Sequence, residues 1–504
     1  MTLLQDHLFI VLASALFSLL LGLPLGVLAY LYPRARAVIL WLVDLLQTVP
    51  SLALLGIIMV FLGPGKLTVV IGITLYSLLP IVRNTCLGLQ EVDPGVKEAA
   101  RGMGMSRVYR LIHVEFSLAL PMIFTGVRIA VVNAIGSAVF AAYVGGGGLG
   151  SVINQAIRVQ DMGMILSATA ALMVIAVALD LAMGAFENHL KNSHGVSRGT
   201  AAGMAAVLLA IAVMVPFGLQ TNTGEDTLVL YDGDYSETQL MHRMAKLLIE
   251  DRTPLTVELR DQMSQVNNFK ALIGDNHSCD LMISYDGTLL TTFLKLDPTD
   301  VPEGQSLYDF TNAVAQERHG IRLLGQLGFD NTYAVAVPQR IAEQYGLETV
   351  SDLTAVAPEL VFGAEQEFFT LEGSMKFGPF TQFYGLDFKD AVPVDIGLKY
   401  AAVENGSFDV TEVYATDGLN IKADLKILED DRGFFPDYNG AFLVREDTFT
   451  RFASLAPNLE EVLESLSGRI STEQMANLTY QVDVLGRTTD EVALEFLTEQ
   501  GLLN

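Results

Sequence analysis

The first 220 residues contain six stretches that are apolar enough and long enough to cross the roughly 30 Å hydrocarbon core of a membrane. They lie near residues 7–30, 38–62, 67–84, 119–143, 162–186 and 201–219. Backbone groups inside a bilayer must be hydrogen-bonded within the protein, which limits such segments to helices. The sequence therefore predicts an all-α transmembrane domain of six helices over residues 1–220, in contact with membrane lipid.

The charge of the chain divides at the same place, near Thr221. Residues 1–220 carry 12 Lys and Arg against 9 Asp and Glu, whereas the remaining residues carry 19 against 48. The second part is predicted to be an acidic soluble domain, and its charge excludes the basic surface that nucleic-acid binding requires. Cys86 and Cys279 fall on opposite sides of the division, so we expect neither a disulfide framework nor a metal site.

Basic residues in the short loops predict the orientation of the membrane domain. Only Lys66 and Arg158 lie in the loops after the second and fourth spans. Nine basic residues follow the first, third and fifth spans: Arg34, Arg36, Arg83, Lys97, Arg101, Arg107, Arg110, Lys191 and Arg198. This distribution predicts an N-terminus outside the cell, a cytoplasmic loop between the third and fourth spans, and an extracellular domain after Phe217.

The predicted cytoplasmic loop, about residues 91–118, contains the most specific motif of this half. Asp93-Pro94 is typical of a helix start, and Gly102 and Gly104 are expected to break the helix. Glu98-Ala99-Ala100, followed by Gly104, resembles the EAA coupling loop of ABC importer permeases. The resemblance implies a MetI-like permease whose Glu98, Ala99, Ala100 and Gly104 contact a cytoplasmic ATPase, and a dimer of this chain.

The downstream part of that motif departs from the family. Val114-Glu115-Phe116-Ser117 stands where the family pattern continues, and a proline comes only at Pro121. The chain contains no Walker A phosphate loop, so ATP hydrolysis is expected from a separate partner protein. We predict a transporter subunit without catalytic residues or cofactor.

The second half alternates short strands with amphipathic helices, which is typical of α/β layers. Two apolar runs, Tyr333–Val337 and Ala441–Val444, each open a new block. This predicts two lobes within residues 226–504: one from 226–331 with 439–504, the other from 332–438. Two lobes around a cleft suit the capture of a small molecule by hinge closure.

Several stretches of this domain resemble the binding proteins of osmoprotectant importers, which take up glycine betaine, choline and carnitine. The shared stretches are Tyr285-Asp286-Gly287-Thr288, Phe329–Ala334, Asp395–Tyr400, Tyr414–Gly418 and Leu428–Asp431. The fused layout and the run Leu478–Val482 look closest to ergothioneine importers. The resemblance implies a two-lobed, type II periplasmic-binding-protein-like domain.

A quaternary ammonium group cannot donate a hydrogen bond, so proteins hold it against aromatic faces. The resemblance implies a cage of Tyr285, Tyr333 and Tyr414, with Gln239 and Thr288 at the polar end of the ligand. Each of these residues could instead be a packing residue. Asp417 is included as a ligand-binding residue because it can face a cation, as can Glu412.

Two positions depart from the osmoprotectant receptors. A fourth cage tyrosine is replaced by Val392, and the Glu-Phe-x-x-Arg stretch is here Glu367–Leu371 without arginine. If that arginine meets a ligand carboxylate, its loss argues against a carboxylate-bearing solute. Choline, glycine betaine, carnitine and ergothioneine remain open as solutes. A different amino-acid-like solute, a membrane-anchored sensor and a tethered enzyme are the alternatives.

Overall fold

The computed structural model describes residues 3–158, 162–192, 224–274, 278–370, 374–395 and 398–503, which form two compact units. The N-terminal unit is helical throughout. Its helices are α1 Leu3–Leu31, α2 Pro33–Thr48, α3 Ser51–Leu62, α4 Lys66–Tyr76, α5 Leu78–Glu91, α6 Pro94–Gly102, α7 Arg107–Arg110, α8 Phe116–Ser137, α9 Leu149–Arg158 and α10 Met162–Asn192.

Four helical stretches of the described part are long and apolar enough to cross a membrane: Leu3–Leu31, Lys66–Glu91, Arg107–Val144 and Met162–Leu190. The predicted second span, 38–62, is wrong as a single helix, because α2 and α3 meet at an angle of 98°. Pro50 lies between them and favours an extended conformation at Val49, whose ψ is 126°. The predicted sixth span, 201–219, lies outside the described residues.

The segment from α6 to α8 is a helix, a turn and a helix that continues into the long apolar stretch. The Asp93 carboxylate accepts hydrogen bonds from the Gly95 and Val96 amides, and Pro94 is the first residue of α6, as the sequence predicted. Gly104 has a φ of 80°, which suits glycine at the turn after α6. A π-helical turn, Leu111–Glu115, joins α7 to α8.

The C-terminal unit is a mixed α/β structure with the two lobes expected of a binding protein. The first lobe contains β1 Thr227–Gly233, β2 Thr256–Met263, β3 Leu281–Tyr285, β4 Ile321–Leu323 and β10 Gly440–Arg445. Strand β1 pairs with β2 in parallel, while β10 lies between β3 and β4 and is antiparallel to both. The helices of this lobe are α11 Ser236–Arg252, α12 Gln265–Ile273, α13 Leu307–His319, α18 Glu446–Phe452, α19 Leu459–Glu464, α20 Thr472–Asp483 and α21 Thr489–Glu499.

The second lobe is built on a five-stranded sheet in the order β7-β6-β8-β5-β9. The strands are β5 Tyr333–Pro338, β6 Val361–Glu365, β7 Asp390–Val394, β8 Val410–Tyr414 and β9 Leu425–Leu428. The helices are α14 Gln339–Tyr345, α15 Phe377–Tyr384, α16 Lys399–Glu404 and α17 Leu419–Lys422. The chain crosses between the lobes twice, and the crossings are tied together where the Asn331 amide donates to the Tyr438 carbonyl at 2.9 Å.

Candidate ligand site and coupling segment

In the first lobe, the chain places a tyrosine, Tyr285, at the end of β3. Tyr285 is 3% exposed and donates a hydrogen bond to Glu237, at the start of α11. Tyr235 donates in turn to the Tyr285 hydroxyl over 3.1 Å. Gly287 lies two residues further along, and glycine is required there because a Cβ would collide with the ring of Tyr438. These contacts fix three tyrosine rings and one carboxylate relative to each other.

In the second lobe, strand register brings two tyrosines together. Tyr333 begins β5 and Tyr414 ends β8, and the two are directly paired in the antiparallel ladder. Paired residues point to the same face of a sheet, and here the ring centroids lie 5.1 Å apart. Phe368 and Phe435 pack near the Tyr333 ring at centroid distances of 5.9 and 6.2 Å.

A further tyrosine of the second lobe comes from α16. Tyr400 is 4% exposed, and its hydroxyl donates to Asp417 and to Asn420. The neighbouring Lys399 is 1% exposed and lies behind the cavity wall, with its Nζ 5.4 Å from the Tyr414 ring centroid. Lys399 is neutralised by Glu365 at 2.9 Å and by Glu412 at 3.3 Å.

These side chains surround one cavity between the lobes. Six tyrosines line it: Tyr235, Tyr285, Tyr333, Tyr400, Tyr414 and Tyr438. Four carboxylates do so as well: Asp234, Glu237, Asp417 and Asp483. Among the described lining residues there is no Lys, Arg or His. The described part of the wall offers aromatic faces and negative charge, and none of its side chains could form an ion pair with a ligand carboxylate.

Glu237 is a buried carboxylate of the cavity whose pKa is changed by its surroundings. Burial raises the pKa of Glu237 to about 7, although hydrogen bonds from Thr416, Tyr285 and Asn331 oppose that rise. Thr416 belongs to the second lobe, so this carboxylate is contacted from both sides of the cleft. Burial also raises the pKa of Asp417. The charge of the cavity therefore changes near neutral pH.

The two lobes also meet beside the cavity. The Thr479 hydroxyl, on α20, donates to the Thr416 carbonyl at 2.8 Å. Nearby, the two backbones are so close that a Cβ at Gly418, two residues after Thr416, would collide with the backbone nitrogen of Tyr480, the residue after Thr479. A side chain at Gly418 would hold the lobes apart.

Residues 94–110 of the membrane domain, from α6 to α7, form the coupling segment, and part of their surface is small and open. Glu98 and Ala99 are exposed, and a Cβ at Gly104 would meet no atom within 4 Å. Ala100, in contrast, is 1% exposed and packs inside the chain. The expectation that Ala100 faces a partner is therefore corrected: its small size serves internal packing.

Comparison with known proteins assigns both halves. Residues 226–499 match the family described as the substrate binding domain of an ABC-type glycine betaine transport system, and residues 18–192 match the binding-protein-dependent transport system inner membrane component. The ergothioneine transport permease/ergothioneine binding protein EgtU of Helicobacter pylori (strain G27) is 31% identical over 97% of this chain and 88% of its own length. The chain belongs to this family of ABC importers.

Other relatives of the importer match one half each. The carnitine transport permease protein OpuCB of Listeria monocytogenes is 36% identical over 37% of this chain and 85% of its own. The carnitine transport binding protein OpuCC of the same species is 32% identical over 55% of this chain and 87% of its own. The importer is thus a permease and a substrate-binding protein in one polypeptide, a transporter subunit, and the resemblance found in the sequence is confirmed.

The residues predicted for the importer's ligand site fall into two groups. Tyr285, Thr288, Tyr333, Tyr414 and Asp417 line the common cavity. Gln239 does not line it; its amide donates to the Gly233 carbonyl at 3.0 Å and holds the turn after β1. Glu412 does not line it either. Its carboxylate forms an ion pair with the Lys399 Nζ at 3.3 Å.

Of the tyrosines and carboxylates that line the cavity, six were not predicted: Tyr235, Tyr400, Tyr438, Asp234, Glu237 and Asp483. Three of them had a signal in the sequence. Tyr400 ends the shared stretch Asp395–Tyr400, and Tyr235 and Glu237 lie within one turn of Gln239. Within the described residues no group of three His, Cys, Asp or Glu side chains is arranged to hold a metal, and Cys86 and Cys279 are both buried free thiols.

Proposed function

We propose that this importer captures a quaternary ammonium or betaine-type solute outside the cell and passes it through its own permease domain. A separate ABC ATPase, the partner that the permease family implies, supplies the energy. The observation that carries the proposal is the cavity with six tyrosines, four carboxylates and no basic side chain among its described lining residues.

The energetics fit a trimethylammonium group. Each aromatic face contributes about 0.5–2 kcal/mol to the binding of a cation, so three or four faces supply roughly 2–8 kcal/mol. Micromolar affinity needs about 8 kcal/mol. The ionised form of Glu237 or Asp417 and the closure of the lobes through Thr479 and Thr416 supply the remainder.

The choice of solute depends on the absence of Lys, Arg and His from the described lining residues of the cavity. A cavity lined by carboxylates favours choline, which has no carboxylate of its own. The similarity over 97% of the chain to an ergothioneine importer supports ergothioneine instead. Its carboxylate would have to be held by neutral donors such as Thr288 or Asn331, which line the cavity. We therefore rank choline and ergothioneine ahead of carnitine, proline betaine and glycine betaine.

Calorimetric titration of the full-length chain in lipid nanodiscs with these five solutes tests the proposal. We expect heat of binding with at least one quaternary ammonium compound. Clear binding of an ordinary amino acid, with no heat from any of the five, would mean that the tyrosines do not form a cation cage. If the chain binds a solute but cells that produce the chain and its ATPase do not take that solute up, the result would favour the alternative of a membrane-anchored sensor.

We also propose that residues 224–504 and the N-terminus face outward and that the loop around α6 is cytoplasmic, which the distribution of basic residues supports. A single cysteine at Gly224 should react with a membrane-impermeant thiol reagent on intact cells, whereas one at Ser193 should not. Equal labelling at both positions would contradict six spans.

The proposed ATPase contact consists of Glu98, Ala99 and Gly104, with Ala100 supporting them from inside. Gly104 has open space around it but a φ of 80°, so Gly104→Trp adds bulk at the surface that faces the partner together with backbone strain, and Gly104→Ala shares the strain without the bulk. Overpacking of a tight contact costs about 1–3 kcal/mol; we expect loss of ATPase co-purification and of uptake with unchanged solute binding. Gly104→Asn, which tolerates the positive φ, is the control.

We propose that two copies of the chain form the working permease, because each chain supplies one permease domain. The mass of the protein in nanodiscs, measured by light scattering, should correspond to two chains. A monomer that transports normally would exclude this arrangement.

A further inference from the structure

A buried carboxylate connects the coupling segment to the first helix of the permease domain. Glu115 is 2% exposed and lies at the end of the π-helical turn that precedes α8. Its Oε2 accepts a hydrogen bond from the Tyr30 hydroxyl at 2.6 Å, and its Oε1 accepts one from Arg110 Nε at 2.8 Å. Tyr30 belongs to the last turn of α1, and Arg110 ends α7.

The other half of the coupling segment reaches the same tyrosine. Lys97, on α6, holds its Nζ 5.3 Å from the centre of the Tyr30 ring and donates to the Leu89 carbonyl at 2.8 Å. Both short helices of the segment therefore converge on Tyr30, α6 through Lys97 and α7 through Arg110 and Glu115. The rest of the Tyr30 side chain packs with an apolar cluster that includes Leu89 and Ala119.

A paired, buried carboxylate is costly to separate from its partners. Removing one partner of a buried ion pair leaves an uncompensated charge, so the three groups are held together as a unit. Glu115 also stands in the part of the coupling loop where the sequence departs from the family pattern. At this position the chain therefore carries a carboxylate that contacts α1 through Tyr30 and α7 through Arg110.

We propose that Glu115 and Tyr30 are positioning residues that transmit movement of the coupling segment to the cytoplasmic end of α1. This inference rests on the proposed docking of an ATPase on that segment. When the segment shifts, Arg110 and Lys97 shift with it, and the hydrogen bond between Glu115 and Tyr30 moves α1 together with α8.

Hydrogen–deuterium exchange of the complex between the full-length chain and its ATPase tests the proposal without a solute. Exchange is compared in the nucleotide-free complex and in the complex trapped with ATP and vanadate. In the wild-type chain we expect a change both in the coupling segment, residues 94–110, and at the end of α1, residues 25–31. In Glu115→Gln and in Tyr30→Phe the first change should persist while the second falls by about fivefold or more.

Each variant has a matched control in the same region. Glu91→Gln replaces an exposed glutamate at the end of α5, and Tyr32→Phe replaces a tyrosine that is 58% exposed; both should respond as the wild type does. Tyr30→Phe keeps the ring for Lys97 and leaves Glu115 paired with Arg110, so the test does not depend on Glu115→Gln alone. ATPase co-purification of the variants should match the wild type, and exchange is measured below the thermal unfolding temperature of each variant.

A wild-type response at α1 in both variants would overturn the inference, and so would a wild-type α1 that does not respond to trapping at all. The proposed function fails in a different way. In that case the ATPase would leave exchange in residues 94–110 of the wild-type chain unchanged.

Discussion

In the first lobe, the Tyr285 hydroxyl donates to the buried Glu237 and accepts from Tyr235, whereas in the second lobe strand pairing and phenylalanines hold the rings of Tyr333 and Tyr414. The part of the second wall formed by Tyr333 and Tyr414 presents aromatic faces, although Tyr400 of the same lobe donates to Asp417. The first needs a hydroxyl, a carboxylate and a particular protonation state. Rings packed on a sheet provide a constant cation–π surface, while the network around Glu237 provides charge that depends on pH.

The largest effect is expected when the two walls are kept apart. Gly418→Val places a side chain against the Tyr480 backbone. Overpacking costs about 1–3 kcal/mol, which corresponds to a loss of solute affinity of up to roughly 100-fold. Calorimetry on the full-length chain measures the loss. Gly378→Val also introduces a side chain at a glycine of the second lobe, but this glycine has no positive φ and a Cβ there meets no atom within 4 Å, so the variant should bind normally.

An aromatic face of the second lobe should matter more than its hydroxyl. Tyr333→Ala removes the ring and should weaken solute binding by about 2 kcal/mol, roughly 30-fold. Tyr333→Phe keeps the ring and loses only a long contact with the Tyr414 hydroxyl, 3.4 Å away, so it should bind almost as the wild type does. Equal losses in the two variants would show that the hydroxyl, not the face, holds the ligand.

The same Tyr→Phe exchange should be more harmful in the first lobe. Tyr285→Phe removes a donor to Glu237, and a hydrogen bond to a charged group contributes about 1.5–3 kcal/mol, of which we expect the lower end to appear as a loss of affinity of about tenfold. Identical affinities of Tyr285→Phe and Tyr333→Phe would remove the distinction between the lobes.

The pH dependence of binding should be smaller still and should belong to the first lobe. Because the pKa of Glu237 is raised to about 7, the residue is mostly protonated at pH 6 and mostly ionised at pH 8. Affinity for choline or another net cation should therefore rise with pH, by at most about tenfold over this range. In Glu237→Gln the dependence should largely disappear. A rise that persists in this variant would assign the titration to another group, such as Asp417.

The sequence predicted the elements of the fold better than their ends. The start of α6 at Asp93-Pro94 follows from local capping, and β5 from Tyr333 follows from its apolar pattern. The break in the second span was missed because hydropathy does not detect a bend at Pro50 in an otherwise apolar run. Periodicity reports burial, not the direction in which a helix continues.

For the site, sequence reasoning found the side chains that adjoin shared stretches and missed those whose position depends on long-range packing. Tyr438 reaches the cavity because the second crossing lies beside the first, and Glu237 because Tyr285 and Asn331 converge on it. Gln239 does not line the cavity although it lies on the same helix as Glu237. Its side chain turns to the Gly233 carbonyl, and no local pattern distinguishes these two directions.

The most direct test of a cation cage removes the positive charge of the ligand and keeps its shape. The tightest quaternary ammonium compound of the titration panel is compared with the same molecule in which carbon replaces the ammonium nitrogen, on the full-length chain at pH 8. Shape and apolar area are then nearly constant. If aromatic faces and ionised carboxylates hold the cation, the neutral analogue should bind at least about 100-fold more weakly, since three desolvated faces contribute several kcal/mol. Equal affinity of the two compounds would contradict the account, because the cavity would then recognise shape and not charge.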